Sequence, residues 1–428
     1  MVEALMLKVS IHNAKLGMEL ALPIFHPTLP GHMLLRPGFV MDEPALTRLR
    51  ELRVRELWVR VPQLETLVGF FNAEVVEEQA HLARLMGSAF DQVREPMFGE
   101  VDFRHYAASI KTIIEKLSRE PKAAILVGDV VGAERPFVMH AMATCFISLL
   151  MGIKLESYLV EQRRRLQPTR ARSVENLGIG ALLCDVGMLK LPHEVVERWK
   201  QTGDEQDPAF REHVKLGFQM LRGKVEPTAA AAVLQHHQRY DGFGWPAART
   251  LEGPAKPGQP TGLMGEQIHV FARIIAVADR FDRLRNPPSA DGREEARQPT
   301  VRCLKQMLTD ARKRVIDPTV FKALVGVVPA YSPGTIVELN DTRAAVVAEF
   351  DPLNPCRPLV RTVHLRDGKL RLDDNTFGEW IDLKRRRDLW VSRAEDIDVS
   401  ADNFEPDHPM EFDLHGIQPT GRYAGLAA

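Results

Sequence analysis

The sequence predicts a mainly α-helical protein, with an all-helical bundle core between a small N-terminal α/β module and a small C-terminal β-rich domain. Three patterns predict this fold class. Apolar residues recur with a period of roughly 3.6 residues through residues 105–330, which is typical of helices that bury one face. Short alternating segments broken by proline and glycine precede this block. After Ser332-Pro333-Gly334 the apolar period changes to two, which is typical of strands.

Residues 1–65 are predicted to form the N-terminal α/β module. Apolar and polar side chains alternate in residues 7–11 and 57–61, which indicates strands with one buried face, whereas residues 43–52 carry apolar residues at helical spacing. The amphipathic pattern of residues 66–104 predicts a linking helix between this module and the helical core.

Residues 105–330 are predicted to be the helical domain, the largest unit of the chain. The helical period is found in residues 107–117, 138–153, 174–183, 208–221, 229–237, 265–284 and 300–315. Residues 138–153 are the most apolar of these segments, but they contain His140 and fall short of the about 20 residues that span a bilayer. We therefore expect a buried helix and no association with a membrane.

Residues 331–399 are predicted to be the β-rich domain. Residues 335–339 and 344–350 alternate and are separated by the turn pair Asn340-Asp341, which indicates a hairpin. The polar, proline-containing residues 400–428 are predicted to be a loosely ordered tail.

Charge and cysteine content exclude several classes of protein. With 56 Lys and Arg against 57 Asp and Glu, the net charge is -1, which predicts no extended basic surface for DNA or RNA. This charge balance is still compatible with a local basic pocket for one small anion. The cysteines are too far apart for a disulfide framework or a zinc ribbon; they are Cys145, Cys184, Cys303 and Cys356. Free thiols and an N-terminus without an apolar signal segment predict a cytoplasmic location.

Histidines and aspartates of the helical block are the candidate functional residues. Taken singly, His140 would be a hydrogen-bonded core residue, His213 a surface residue and Asp279 a polar helix end. The adjacent pair His236-His237, by contrast, has no packing rationale before a glycine-rich loop. Together, imidazoles and carboxylates on separate helices suit a divalent metal cluster inside a helical bundle, and such donors favour iron, manganese or zinc.

The order of these residues resembles a known family. With the segment His236-His237-x-x-x-Asp241-Gly242-x-Gly244-Trp245-Pro246, the chain resembles the HD-GYP family of bacterial phosphodiesterases. The resemblance covers residues 106–284, roughly two fifths of the 428 residues. The first 60 residues are similar to a small domain that often precedes HD-GYP domains.

The resemblance implies an HD-type helical bundle that hydrolyses cyclic dinucleotides, chiefly cyclic di-GMP, by means of a metal-bound hydroxide. It implies two divalent ions, since Pro136 stands where members with a third ion carry glutamate. The ligands that it implies are His140, Asp185 and Asp279 for the first ion and His213, His236 and His237 for the second, with Asp185 as the bridging and catalytic carboxylate. The substrate contacts that it implies are Arg239, Asp241, Gly242, Trp245 and Arg283.

Two departures from the family fall in its His-Asp motif. Cys184 stands where the family has a ligand histidine, and Met188 where it has a lysine that brings positive charge near the scissile phosphate. Cys184 is either a further ligand, as a thiolate whose pKa the metal lowers, or a small buried residue. Arg283 either contacts phosphate and replaces the lysine or belongs to a solvated helix face. Trp245 either stacks on a base or packs internally.

Two functional hypotheses therefore stay open. In the first, the protein is a cyclic-dinucleotide phosphodiesterase, weakened because a lost ligand costs at least about 10-fold to 100-fold and a lost charge about 10²-fold to 10³-fold. In the second, the domain is catalytically degenerate and binds a cyclic dinucleotide or docks a signalling protein. A metal-free helical scaffold is a weaker third alternative. A second copy of the chain is a further candidate partner.

Overall fold

The fold is given by a computed structural model that describes residues 5–26, 32–52, 54, 56–61, 81–82, 85, 103–119, 136–248, 259–287, 297–366, 369–370 and 377–406. The linking helix predicted at residues 66–104 therefore lies mostly outside the described residues. Of the predicted tail, residues 400–406 are described, and Ser400–Asp402 form a short 3-10 helix.

The N-terminal module contains two antiparallel strand pairs and one helix. Its elements are β1 (Leu5–Ser10), β2 (Ile24–Phe25), β3 (Met33–Leu35), α1 (Glu43–Glu51) and β4 (Glu56–Val61). Strand β1 pairs with β4, and β2 pairs with β3. The carboxylate of Asp42 accepts a hydrogen bond from the amide of Ala45 at 2.8 Å, which caps the start of α1. The strands and helix predicted from the sequence are therefore present.

The N-terminal module packs against the C-terminal sheet and shares a hydrophobic core with it. Val346 and Val363 of the C-terminal part belong to the same buried cluster as Leu7 and Val59. The Lys8 amide also donates to the carbonyl of Gly334 at 2.9 Å. The two ends of the chain therefore stabilise each other by burial of common apolar surface.

The central part of the chain is helical. Its helices are α2 (Phe103–Arg119), α3 (Pro136–Lys154), α4 (Glu156–Gln162), α5 (Pro168–Ala171), α6 (Glu175–Leu182), α7 (His193–Thr202), α8 (Pro208–Arg211), α9 (His213–Leu221), α10 (Pro227–Gln235), α11 (Val270–Arg285), α12 (Thr300–Arg312) and α13 (Pro318–Val327). Short 3-10 helices at Val186–Lys190 and Gly265–Gln267 connect some of them. The predicted helical core is therefore confirmed.

Helix α3 is the central helix of this core. It packs against α6, α11 and α13. By length and composition alone, Phe137–Lys154 could cross a bilayer, but 61% of this window is buried inside the protein. The neighbouring helices thus cover the apolar surface of α3, which explains its hydrophobicity without a membrane.

Two helical segments differ from the sequence-based expectation. The helix predicted at residues 208–221 is broken into α8 and α9, and the break leaves both Phe210 and His213 fully buried. The helix predicted at residues 265–284 begins later, at Val270, where the Nδ1 of His269 accepts a hydrogen bond from the Phe271 amide at 3.2 Å.

The C-terminal part forms a six-stranded antiparallel sheet in the order β10-β7-β6-β5-β11-β12. The strands of this region are β5 (Ile336–Leu339), β6 (Ala344–Glu349), β7 (Leu359–Val363), β8 (Leu365–Arg366), β9 (Lys369–Leu370), β10 (Phe377–Asp382), β11 (Val391–Ala394) and β12 (Ile397–Asp398). The predicted hairpin is the pair β5 and β6. Arg285, at the end of α11, donates to both carboxylate oxygens of Glu395 at 2.8 and 2.7 Å and so attaches the sheet to the helical core.

The cap of α11 predicts a pH dependence of stability. Burial, together with Arg163 and Arg273, lowers the pKa of His269 from its usual value of 6.5 to about 4. Between these values the unfolded chain binds a proton that the folded chain does not, so the free energy of unfolding falls as the pH is lowered. The loss from pH 7 to pH 5 is at most about 2 kcal/mol, since the ring is partly exposed to solvent.

The substitution His269→Asn tests this effect, because asparagine can also cap a helix but does not titrate. Urea unfolding at pH 7 and pH 5 should show a smaller loss of stability in the variant than in the parent. An equal loss in both proteins would assign the pH dependence to other groups.

Candidate metal centre

Asp185 is positioned by a close approach between two helical segments. It lies between α6 and the 3-10 helix Val186–Lys190, which packs against α9. Gly187 makes this approach possible, because a Cβ at that position would overlap the carbonyl oxygen of His213. The absence of a side chain at Gly187 therefore brings the Asp185 carboxylate next to the first turn of α9.

A first donor set, called here the three-histidine group, consists of Asp185, His213, His236 and His237. One ligand atom from each residue lies within 4.8 Å of the others. The Oδ1 of Asp185 is 3.3 Å from the Nε2 of His213 and 3.5 Å from the Nε2 of His236. These three residues are almost completely buried.

Backbone carbonyls orient the two buried imidazoles. The Nδ1 of His213 donates to the carbonyl of Phe210, and the Nδ1 of His236 donates to that of Val233, both at 2.7 Å. In the neutral ring, a proton on Nδ1 leaves the Nε2 lone pair free, and this lone pair points toward Asp185. Histidines that bind metals are commonly held in this way.

The donor atoms of the three-histidine group are buried close to one another. The Oδ1 of Asp185 and the Nε2 atoms of His213, His236 and His237 are buried without a hydrogen bond to any residue in the described part of the chain. Buried polar atoms without partners are costly, and several acceptors that face one another are especially so. A divalent cation among these atoms would satisfy all of them, so the residues present fit a metal ion.

A second donor set, called here the Asp279 group, consists of His140, Asp185 and Asp279. The Nε2 of His140 lies 2.9 Å from Asp279 and 3.5 Å from Asp185. The Nδ1 of the same ring lies 2.6 Å from the Oδ2 of Asp282. Asp279 and Asp282 share one face of α11, because residues three apart in a helix are neighbours.

Arg283 lies inside the Asp279 group. Its Nη2 donates to the Oδ2 of Asp185 and its Nε to the Oδ1 of Asp279, both at 2.9 Å. The Glu205 carboxylate is 3.6 Å from the Nε, and the guanidinium carbon lies 5.1 Å from the centre of the Trp199 ring. The carboxylate oxygens that would complete this donor set for a metal are therefore bonded to a guanidinium.

Comparison with known proteins assigns the helical core. Residues 149–320 match a family model described as an HD domain, and residues 336–401 match one described as a KOW domain associated with HD domains. The chain is 26% identical over 364 residues to the cyclic di-GMP phosphodiesterase PA4108 of Pseudomonas aeruginosa, which covers 77% of this chain and 80% of that protein. The helical core contains an HD domain.

Two further proteins are similar to parts of the chain. The cyclic di-GMP phosphodiesterase response regulator RpfG of Xanthomonas campestris pv. campestris is 31% identical over 170 residues, which are 39% of this chain and 39% of RpfG. The structure of Bd1817, an HDG"Y"P protein from Bdellovibrio bacteriovorus, superposes with a TM-score of 0.43 and 14% identity over 74% of this chain and 98% of that one.

Neighbouring cations and histidines set the ionisation of the carboxylates in the HD domain. Burial is the largest influence and opposes the charged form of Asp185 and Asp279, but Arg283 and the neighbouring histidines together outweigh it and hold the pKa of both carboxyls well below the usual range. Burial and Arg283 lower the pKa of His140, yet its hydrogen bonds to Asp279 and Asp282 prevail and raise it to about 10. In the metal-free protein the Asp279 group is therefore a network of ion pairs.

The three-histidine group, in contrast to the ion pairs of the Asp279 group, contains a neutral imidazole. Burial and the neighbouring His236 lower the pKa of His237 well below its usual value, so the His237 ring is neutral. A neutral ring can present a lone pair to a cation, as metal binding requires. Its Nε2 is one of the buried atoms without a hydrogen bond to a described residue.

The structure does not bring Cys184 into either donor set. Its thiol is completely buried, and among the described residues it belongs to neither group. Burial, with Asp185 and Asp279 nearby, raises the pKa of this thiol well above its usual value. A thiolate ligand is disfavoured for this reason, and the geometry favours the alternative of a small buried residue.

The structure also favours the packing alternative for Trp245. Its side chain is 8% exposed and stacks on the ring of His237, with a centroid distance of 4.0 Å and an interplanar angle of 18°. It shares a buried apolar cluster with Met188 and Phe210. This packing favours internal stacking, and a role of Trp245 in stacking on a substrate base stays a prediction.

The other predicted substrate contacts shape the loop after His237. Arg239 forms a two-point ion pair with Asp241, whose Oδ1 also accepts from the Phe243 amide at 3.1 Å. Gly242 has a φ of +85°, a conformation that favours glycine. Arg239 is exposed, and a role in substrate binding stays a prediction for Arg239, Asp241 and Gly242.

Sequence reasoning missed three residues that complete the site. Asp282 could have been found, because it lies on the same helical face as Asp279. Trp199 and Glu205 lie on α7 and in the loop after it, and their approach to Arg283 depends on tertiary packing. No local pattern in the sequence indicates that approach.

Proposed function

We propose that this chain is a cytoplasmic, metal-dependent phosphodiesterase that hydrolyses cyclic di-GMP. The observation that carries the proposal is the three-histidine group, in which four buried donor atoms converge without other partners among the described residues. Relatives named as cyclic di-GMP phosphodiesterases support the choice of substrate.

In this proposal Asp185, His213, His236 and His237 hold a divalent ion of iron, manganese or zinc. When bound, such an ion acts as a Lewis acid and lowers the pKa of water, which is the chemistry that phosphodiester hydrolysis needs. The carbonyls of Phe210 and Val233 keep two of the imidazoles in the orientation and tautomer that this role requires.

Other residues of the chain position the substrate. The exposed ion pair of Arg239 and Asp241 keeps the loop after His237 in one conformation beside the three-histidine group. Arg283 brings a guanidinium next to Asp185, where it offsets negative charge close to an incoming phosphate.

We propose that this activity is weak. Met188 is buried in an apolar cluster with Phe210 and Val214, so no cation stands at the position where the family has lysine. Loss of one charge-stabilising group costs about 10²-fold to 10³-fold in rate. Arg283 compensates only in part, because two carboxylates already neutralise it.

Turnover by the full chain tests the proposal. The metal-free protein is loaded separately with Mn²⁺, Zn²⁺ or, without oxygen, Fe²⁺, and is then incubated with cyclic di-GMP. We expect slow formation of the linear dinucleotide, which chelation with EDTA abolishes. Metal-loaded protein that forms no linear product with any of these ions would contradict the proposal.

A catalytically degenerate binding module is the second candidate, and the buried apolar side chains of Cys184 and Met188 favour it. This alternative predicts that cyclic di-GMP binds, as measured by calorimetry, without turnover. The double substitution Cys184→His with Met188→Lys would then create activity that the parent lacks. A signalling protein or a second copy of the chain stays a predicted partner of such a module.

A further inference from the structure

The two donor sets differ in whether their atoms already have partners. In the three-histidine group, the four donor atoms have no hydrogen bond to a described residue. In the Asp279 group, hydrogen bonds engage the Oδ1 of Asp279, the Oδ2 of Asp185 and both ring nitrogens of His140. The three-histidine group therefore needs a cation more than the Asp279 group does, although both groups contain Asp185.

Arg283 supplies positive charge that compensates the carboxylates of the Asp279 group. Its guanidinium donates to one oxygen of Asp185 and one of Asp279, which are the oxygens that face His140. Its side chain is only 15% exposed, and it lies beside the Trp199 ring. Planar two-point contact with carboxylates in a buried setting is the interaction to which guanidinium groups are best suited.

The remaining members of the Asp279 group are poor ligands in this arrangement. His140 contacts the Oδ2 of Asp282 through Nδ1 at 2.6 Å and the Oδ1 of Asp279 through Nε2 at 2.9 Å, and the same Oδ1 of Asp279 accepts a hydrogen bond from Arg283. Cys184 adds no donor, since its thiol belongs to neither set among the described residues. A divalent ion placed there would also repel the guanidinium.

We propose that the Arg283 guanidinium takes the place of one metal ion, so that this chain binds a single divalent ion, held by the three-histidine group. The inference rests on the proposed function only in assuming that the three-histidine group binds metal. It disagrees with the two ions that the family resemblance implies. The residues of the Asp279 group, with Arg283 among them, do not fit a second ion.

The number of bound ions tests the inference without any substrate. The full chain is loaded with excess Mn²⁺, freed of unbound metal and analysed by elemental analysis together with electron paramagnetic resonance. We expect one Mn²⁺ per chain and the six-line spectrum of an isolated ion. Two ions per chain with a spin-coupled spectrum would overturn the inference and leave the proposed function standing, whereas no bound ion would remove both.

Variants at Arg283 test whether its guanidinium is the reason that only one ion binds. Arg283→Gln removes the charge and should allow two Mn²⁺ per chain, whereas Arg283→Lys keeps the charge and should bind one. Arg280→Gln is the matched control on the same helix, because Arg280 pairs with Asp310 and belongs to neither donor set. It should bind one ion, like the parent.

A folded Arg283→Gln protein, with the circular dichroism spectrum of the parent, that still binds a single ion would overturn the inference. If this variant does not fold, the ion count of Arg283→Lys decides, since two ions there would show that a cation at this position does not exclude a metal.

Discussion

Replacement of His236 with glutamine should lower the affinity for divalent ions by about 100-fold or more and leave the metal-free protein almost as stable as the parent. The loss of affinity is expected because even residues that only orient a ligand contribute about 10-fold to 100-fold. The small change in stability is expected because the Nε2 of His236 has no hydrogen bond to a described residue, so that only the hydrogen bond from its Nδ1 to the Val233 carbonyl is lost. One such hydrogen bond contributes about 0.5–1.5 kcal/mol.

Thermal unfolding with and without Mn²⁺ measures both effects in the same protein. At an ion concentration about 100 times the dissociation constant, the parent should gain about 2.7 kcal/mol of stability, whereas His236→Gln should gain almost none. The matched control is His193→Gln, which makes the same chemical change at an exposed histidine at the start of α7. A His236→Gln protein that is stabilised by Mn²⁺ as strongly as the control would exclude the three-histidine group as the metal site.

Hydrophobic periodicity was sufficient to predict the helices that form the core. The predicted bounds of α3 and the predicted end of α11 lie within about two residues of the observed ones, because each helix carries a long run of apolar side chains that the core must bury. The break between α8 and α9 was not found, since Phe210 and His213 fit one continuous helical pattern. Helix α13 was not identified individually, although Asp317-Pro318 is a typical start signal.

The sequence predicts which residues belong to the candidate site but not which side chains contact one another there. The segments that contain His140, Asp185, His213, His236 and Asp279 do converge, as the family resemblance implied. The partner of each side chain could not be predicted, because it depends on which groups the packed helices bring within bonding distance. The position of Arg283 is the clearest case, since a charged residue near a helix end is usually solvated.

The site depends on the position of α11, and a buried ion pair fixes that helix. Arg273 of α11 donates to Asp317 at 2.7 Å, and both side chains are almost completely buried. The hydroxyl of Tyr158 donates to the same carboxylate at 2.8 Å. Asp317 also accepts from the amide of Thr319 at 2.9 Å and so caps α13. One carboxylate therefore joins α4, α11 and α13.

Substitution of Asp317 with alanine should lower the free energy of unfolding by about 3–5 kcal/mol, because it leaves the Arg273 guanidinium buried without a counter-charge. Asp207→Ala is the matched control. Asp207 also precedes a proline, caps its helix through the Ala209 amide at 2.9 Å and pairs with an arginine, but that partner, Arg198, is 52% exposed. Loss of this cap and of an exposed ion pair should cost much less than the loss of Asp317, because solvent screens the pair.

Urea unfolding of the two variants in metal-free buffer separates the cost of the buried charge from that of the helix cap. Because both substitutions remove a cap, the difference between them reports the burial of Arg273. Equal losses of stability would mean that the guanidinium finds water or another acceptor when Asp317 is absent. In that case α11, with Asp279 and Arg283, would be held in place by apolar packing rather than by this ion pair.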